Sequence, residues 1–305
     1  MFRNKKKILS IVFVFVTVIL SAQNDPLITN YMFTPSSINP ALVGNDKSIN
    51  ALLLVREQWV GFNEAPSTQL VNFDTKIDRL GGIGFSIMND KLGFEQSLKM
   101  KLLYSNQIAI DEVSSVFVGG GFGLVNKSLD ATNLTYASQN DVNGIYANQS
   151  EFLADFDFGT MYKRNDLRIG LSSTHLLVSK NNSTFFNVPR HFYLFADYKK
   201  KLSDRIDAIP SVLFKTSVVR KQLEIGSLFM VDKKYWAGFS FRNNEALSLL
   251  IGMNFMKYYS FGYSYDFNIG SVNGYSSGSH EFFIRLNIIK PEKIYKFYKS
   301  PRYFN

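Results

Sequence analysis

Residues 152–174 read F-L-A-D-F-D-F-G-T-M-Y-K-R-N-D-L-R-I-G-L-S-S-T, and their alternation decides the fold. In the first half Phe152, Ala154, Phe156, Phe158, Thr160 and Tyr162 alternate with Leu153, Asp155, Asp157, Gly159, Met161 and Lys163. Successive side chains of a strand point to opposite faces, so one face is aromatic and the other acidic or small. Arg164, Asn165 and Asp166 supply turn chemistry. Beyond them Leu167, Ile169 and Leu171 share one face, and Arg168, Gly170, Ser172 and Thr174 the other. A two-residue loop at Arg164-Asn165 would set Phe158 opposite Leu171 and Asp157 opposite Ser172. The apolar faces then coincide, as they must, because a one-residue slip turns every side chain over. The stretch predicts a long amphipathic hairpin with one greasy side.

The pattern recurs along the chain. Leu98, Met100, Leu102 and Tyr104 alternate with Lys99, Lys101, Leu103 and Ser105. Phe261, Tyr263, Tyr265 and Phe267 alternate with Gly262, Ser264, Asp266 and Asn268, and Phe282, Ile284, Leu286 and Ile288 with Phe283, Arg285 and Asn287. Strand-like runs are expected at about 51–60, 68–77, 81–90, 96–109, 113–127, 151–163, 166–178, 191–202, 207–219, 222–233, 235–243, 246–256, 258–268 and 279–289. No stretch carries the period of a substantial helix. Ahead of the runs, Pro35 and Pro40 argue against a regular strand, so residues 23–50 are expected to be irregular or briefly helical.

Alternation suits a soluble sandwich, which hides its apolar face, as well as a membrane barrel, which shows it to lipid. Two observations favour the barrel. Long Asn-, Ser- and Gly-rich links around 128–150, 179–190 and 269–278 fall on one side of the strand order, and short turns such as Met256-Lys257 on the other, the asymmetry of outer-membrane barrels. A closed ring of this many strands is also too wide for side chains to fill, so its inside is wet or plugged and its apolar face turns outward. The expectation is an all-β transmembrane antiparallel barrel of about 14 strands over 51–289. Its even strand count puts both chain ends on the short-turn side, expected to be the periplasm. Lys99, Lys101, Asp155, Asp157, Arg168 and Arg285 become the polar residues facing the lumen.

Met1 to Ala22 reads as a secretory signal. Arg3, Lys5, Lys6 and Lys7 precede an apolar run from Ile8 to Leu20, and Ser21-Ala22 offers cleavage near Ala22-Gln23. That run is short of the roughly 20 residues a spanning helix needs. The formal charge is +9, of which the signal carries four basic residues and no acid, leaving +5. Lys290, Lys293, Lys296, Lys299 and Arg302 against Glu292 place +4 of that in the tail 290–305. A basic tail on an exported chain suits acidic lipid headgroups or an acidic protein surface, and not nucleic acid.

Chemistry is thin. With no cysteine there is no thiol nucleophile, thiolate metal site or disulfide. Gly274-Tyr-Ser-Ser-Gly278 matches a nucleophile-elbow pattern, which needs a strand-to-helix turn that an all-β chain lacks. His175, His191 and His280 have no partner at metal-binding helical spacing. Asp155 and Asp157 share a face, as any strand residues two apart do. Asp141-Val-Asn143-Gly144 resembles a fragment of a calcium loop but lacks the later glutamate. Gly119-Gly-Gly121-Phe-Gly123 sits within a strand and lets something approach closely. No catalytic residue, cofactor or metal is expected.

Asn30-Tyr-Met-Phe-Thr-Pro-Ser-Ser-Ile-Asn-Pro-Ala-Leu-Val-Gly44 and Arg56-Glu-Gln-Trp-Val-Gly-Phe-Asn-Glu-Ala-Pro-Ser-Thr-Gln69 resemble the signatures of the PorP/SprF family of type IX secretion proteins. The matching positions are Tyr31, Met32, Phe33, Pro35, Asn39, Pro40, Gly44, Arg56, Gln58, Trp59, Gly61, Phe62, Pro66 and Gln69; Asn30, Thr34 and Glu64 depart from the pattern. Gly82-Ile-Gly84, Asn89-Asp-Lys-Leu-Gly93 and Ser279-His-Glu281 also fit. The resemblance implies a non-enzymatic outer-membrane barrel of the Bacteroidetes secretion and gliding machinery, which helps the C-terminal domain of a large adhesin reach and stay on the cell surface. Its implied partners are outer-membrane lipid, the adhesin domain and other secretion or gliding proteins. On that reading Tyr31–Gly44 lies in or under the barrel, and Arg56, Gln58 and the loop 61–66 shape one mouth. Trp59 anchors at the headgroup level, loops 128–150 and 269–278 meet the exported partner, and the tail touches periplasmic machinery. The alternative is a porin-like channel or small-solute transporter.

Overall fold

A computed structural model describes residues 25–46, 48–132, 134, 145–177, 188–217, 220–270 and 273–289. The expected signal (1–22), the tail (290–305) and the calcium-like stretch 141–144 lie outside the described residues, as does the middle of the loop 128–150.

The strands are β1 (Ser48–Glu57), β2 (Ser67–Ile77), β3 (Gly81–Leu92), β4 (Glu95–Ala109), β5 (Ser114–Leu129), β6 (Gln149–Arg164), β7 (Leu167–Thr174), β8 (His191–Tyr198), β9 (Lys200–Lys201), β10 (Ile206–Ser217), β11 (Lys221–Val231), β12 (Tyr235–Arg242), β13 (Ala246–Phe255), β14 (Tyr259–Asn268) and β15 (Ser279–Ile289). Each pairs antiparallel with its chain neighbour, β8 pairs with β10, and β1 pairs with β15 to close the ring. The two-residue β9 stands outside the ring order and continues the β8 alignment on β10, where Ala196 opposes Val212 and Lys200 opposes Ala208. Fourteen strands thus form a closed barrel. Every expected run is found as a strand. The ends shift, the run expected at 166–178 stopping at Thr174.

The hairpin of β6 and β7 needs one correction. Its two-residue loop is Asn165-Asp166, not Arg164-Asn165: Arg164 pairs with Leu167, and Asn165 takes the positive φ of +50° that asparagine tolerates. Phe158 therefore faces Ser173, and Leu171 faces Thr160. The slip is two residues, so the faces keep their sense. Phe158 and Leu171 are 45% and 57% exposed on the outside, while Asp155 and Asp157 are buried inside. Phe73, Phe85, Leu102, Phe122 and Phe156 line up as successive cross-strand partners over β2–β6, an apolar row on the outer wall. Hydrocarbon is the solvent that suits it. We expect Phe122→Lys, in the middle of that row, to cost about 2–4 kcal/mol of unfolding free energy in lipid vesicles, the range for lysine at the bilayer midplane. Equilibrium denaturant titration of the reconstituted barrel measures it.

The lumen is plugged. Residues 25–46 run through it as extended chain and three short 3-10 turns, Tyr31–Phe33, Pro35–Ser37 and Pro40–Leu42. Proline opens the last two, because its missing N–H and preset φ cost nothing at a first helical position. Around this segment the wall turns Leu54, Leu70, Phe117, Met161, Tyr193, Phe195, Trp236 and Phe283 inward, and they form the apolar core with Tyr31, Phe33, Ile38, Ala41 and Leu42. The Phe33 ring packs 4.9 Å from Trp236 and 4.7 Å from Phe283 between centroids.

The barrel's own ends meet at the short-turn mouth as expected, Ser48 pairing with Ile289. The segment ahead of β1 does not stay there. Gly44 lies beside Gly82 at the short-turn mouth, whereas Asp25 lies among His175, after β7, and His191, at the start of β8, on the long-loop side. The described chain therefore begins at the opposite mouth and threads the barrel before entering β1, which parity of strand number could not register.

Candidate functional site

The residues that hold the plug form three groups. The first, at the long-loop mouth, is built on Asp25. Its carboxylate accepts from Lys99 Nζ at 2.6 Å, Tyr193 Oη at 3.0 Å and Thr174 Oγ1 at 3.3 Å, and lies 2.8 Å from His175 Nε2. Lys215 Nζ donates to the Asp25 carbonyl at 2.9 Å. Behind this seat Lys101 Nζ sits 2.8 Å from Asp155 and 2.6 Å from Asp157, and His175 Nδ1 lies 2.7 Å from Asp155. Strand pairing explains the gathering: Thr174 faces His191 across β7 and β8, and Asp155 and Asp157 share the inner face of β6. Asp155, Asp157 and His175 come close enough to share a cation, but the Lys101 ammonium already stands between the carboxylates.

Beside it, at the long-loop ends of β1, β12, β14 and β15, is a buried charge cluster. Arg56 on β1 and Glu281 on β15 are direct cross-strand partners, and Arg56 Nη1 lies 3.2 Å from Glu281 while Nη2 lies 2.7 Å from Asp266 on β14. Arg242 on β12 bonds Glu224 at 3.0 Å and lies 3.4 Å from Asp266. The plug enters this cluster through two residues. Thr29 Oγ1 accepts from Arg56 at 3.0 Å and Arg242 at 3.2 Å and donates to Asp266 at 3.0 Å. Glu281 accepts from the Thr29 and Asn30 amides at 2.9 and 2.7 Å and from the Asn30 side chain at 2.8 Å. Such charges tolerate burial only because each is paired and hydrogen-bonded.

The third group uses shape. Asn39 Oδ1 accepts from the Ala41 amide at 2.9 Å, and its Nδ2 donates to the carbonyls of Thr160 at 3.0 Å and Leu171 at 3.3 Å. Pro40-Ala41 lies against the wall at Gly119, where a Cβ would stand 2.5 Å from the Ala41 nitrogen; at Gly159 it would stand 2.1 Å from Asn39 Oδ1. Of the 119–123 glycines, Gly119 is the one the plug approaches; Gly121 and Gly123 instead lie against Leu103 and Met100 of β4. Ser105 donates to the Val43 carbonyl at 2.6 Å, and Asn72 bonds Thr34.

Most residues singled out from sequence fall into this construction. Tyr31, Met32, Phe33, Pro35, Asn39, Pro40 and Gly44 are the plug itself, and Arg56 holds it. Gln58 and Pro66 close the β1–β2 link, the Gln58 amide donating to the Pro66 carbonyl at 2.9 Å. Trp59 stands in that link at φ +48°, its amide donating to Ser279 Oγ at 3.2 Å, with Gly61 at φ +102° and Phe62 41% exposed beside it. Gln69 lies on the outer wall, hydrogen-bonded to Ser67 and Asn89. Of the expected lumen residues, Lys99, Lys101, Asp155 and Asp157 meet around Asp25. Arg168 instead grips Asp197 with two bonds of 2.8 Å, and Arg285 stands over the Phe33 ring at 5.5 Å. Both arginines line a separate cavity of about 650 Å³ with Asp46 and Asp74. Sequence reasoning passed over Asp25, Thr29, Glu224 and Arg242. Ser276 of the elbow-like motif bonds Asn268 and the Gly278 amide, and His280 bonds Tyr263.

A family model described as "Type IX secretion system membrane protein PorP/SprF" matches residues 20–286. No curated protein matches the chain. Among solved structures the chain is similar to the toluene transporter TbuX of Ralstonia pickettii, at 12% identity over 83% of this chain and 92% of that one, with a TM-score of 0.52. It is similar to the monoaromatic hydrocarbon channel TodX in a deletion mutant, at 10% identity over 83% and 93%, with a TM-score of 0.53. A third, the monoaromatic hydrocarbon channel CymD, gives 10% identity over 87% and 94%, with a TM-score of 0.50. At these identities the likeness is one of fold.

Proposed function

The chain belongs to the PorP/SprF family of type IX secretion system membrane proteins, and from that premise we propose that this outer-membrane barrel is a non-enzymatic partner in export and surface anchoring of a large adhesin. It engages the C-terminal domain of that substrate and works beside other secretion or gliding proteins. The observation that carries the proposal is the plug. A freely conducting pore has no use for a segment bound by three groups of wall residues, one of them the buried Arg56–Asp266–Glu281 cluster. The rigid wall instead presents long links on one side, residues 130–148, 175–190 and 269–278, and loops on rigid scaffolds carry recognition. The chain is exported with cleavage near Ala22-Gln23, and the short turns face the periplasm, the side on which outer-membrane barrels carry theirs.

Deletion of the gene followed by proteomics of the cell surface tests this. We expect one adhesin to disappear from the surface while uptake of small solutes stays unchanged. Altered solute uptake with the adhesin in place would instead support the channel reading. That reading draws on the cavity beside the plug lined by Met88, Leu103 and Leu213 and on the channel and transporter names of the fold's neighbours.

A further inference from the structure

The seat of Asp25 is more elaborate than a plug needs for mere attachment. Four side chains from the β4, β7 and β8 region, Lys99, His175, Tyr193 and Thr174, converge on one carboxylate, and Lys215 of β10 takes the carbonyl behind it. The wall orients part of this seat without help from the plug. The His175 amide donates to Asp157 at 3.1 Å and its Nδ1 is held by Asp155, which aims Nε2 at the carboxylate. Preorganised donors of this kind are what an anion-binding site requires. The charges also fit: with Asp25 withdrawn, the Lys99 ammonium would lose the carboxylate it pairs with, whereas Lys101 keeps Asp155 and Asp157, and a buried charge left without its partner is costly.

The seat can be reached. Two cavities are both lined by Asp25, Pro26 and Lys99, and the second also by Leu92, Val188 and Pro189 at the long-loop mouth. Vacating it leaves the rest of the plug in place, because Thr29, where the charge cluster takes hold, is four residues on. Only 25–28 must swing aside. If the signal ends at Ala22, just Gln23 and Asn24 precede Asp25.

We propose that this seat is a carboxylate-binding site open to the long-loop mouth, filled here by the chain's own Asp25, which a carboxylate on another polypeptide displaces. The incoming group is a chain-terminal carboxylate or an acidic side chain of an exported polypeptide. This rests on the partner reading and adds the chemistry by which a substrate reaches the lumen. Its test uses purified protein, so it can fail while the surface phenotype stands, and the reverse.

The chain has no cysteine, so Ile28→Cys places a single thiol on the buried part of the segment that must move. Maleimide labelling of this variant in micelles is followed with an uncharged pentapeptide bearing a free C-terminal carboxylate, with its C-terminal amide, and with that amide carrying one glutamate. We expect a carboxylate-bearing peptide to speed labelling about tenfold over the plain amide, equivalent to about 1.4 kcal/mol. The acid and the glutamate-bearing amide separate the two sources. Labelling at one rate with all three peptides overturns the proposal. In parallel, sodium acetate is expected to raise the thermal midpoint of Asp25→Ala above that in equal sodium chloride, and to leave the wild type unmoved. Equal midpoints in the two salts would mean that the seat does not recognise carboxylate. Rescue by acetate without faster labelling makes Asp25 a permanent structural ligand and overturns the exchange.

Discussion

Gly119→Val turns a barrel that carries little current into one that conducts steadily across a planar bilayer. The reasoning is steric. A Cβ at residue 119 would lie 2.5 Å from both the Ala41 nitrogen and the Pro40 carbonyl carbon, which are main-chain atoms and cannot rotate away. Either the wall or the plug must yield. β5 is bonded along its length to β4 and β6, while Pro40-Ala41 rests on side-chain bonds and packing. The plug is therefore the part that leaves, and a ring of fourteen strands without it is too wide for its side chains to close. Gly159→Val should act alike, since its Cβ would meet Asn39 Oδ1 at 2.1 Å. The neighbouring Gly120→Val is the control: there a Cβ makes ordinary contacts alone, with the Phe156 ring at 3.5 Å and the Asp157 carbonyl at 3.8 Å. Conductance that rises for 119 and 159 and stays low for 120 is the expected pattern. A closed Gly119→Val channel would show that the plug is not seated on these glycines.

How far all this was legible in the chain depends on the range of the interactions. A wall one sheet thick imposes a period of two on every strand, so the runs, their faces and the barrel were readable from local alternation. The hairpin loop was misplaced because Arg164-Asn165 and Asn165-Asp166 both carry turn chemistry, and the choice rests on the positive φ at Asn165. The glycines of 119–123 announced a close approach but not by what. The path of residues 25–46 was beyond local reading, for it depends on bonds such as Thr29 to Glu281, 252 residues apart. The lone inward charges Glu224, Arg242 and Asp266 look like ordinary lumen lining until the ring closes and brings them to one depth. His175 and His191 were weighed against helical metal spacing, whereas cross-strand pairing of Thr174 with His191 is what joins them. A search for inward charges near the same end of successive strands would have found both clusters.

Arg56→Met is expected to lower the unfolding free energy by about 3–5 kcal/mol, the cost of leaving a buried charge network one partner short. Arg56 is 1% exposed and binds Asp266, Glu281 and Thr29 together. Methionine fills the space of the stem but gives nothing to the carboxylates. Arg242 compensates only partly, because it reaches Asp266 at 3.4 Å and is already engaged with Glu224. Removing the acid as well should return part of the loss. In Arg56→Met/Glu281→Gln no orphaned charge remains at 281, and the Gln oxygen can still accept an amide from Thr29 or Asn30, so the double variant should lose less than the two singles added together. The exposed pair Arg205–Asp232 supplies the comparison, since ion pairs at the surface contribute little and Arg205→Met should match the wild type. Urea titration of the wild type and the four variants in the same micelles ranks them. The plug should loosen with Arg56→Met too, raising the labelling rate of a cysteine at position 28 even where the barrel stays folded. If Arg56→Met unfolds no more readily than Arg205→Met and position 28 stays protected, the cluster is not what fastens the segment in the lumen.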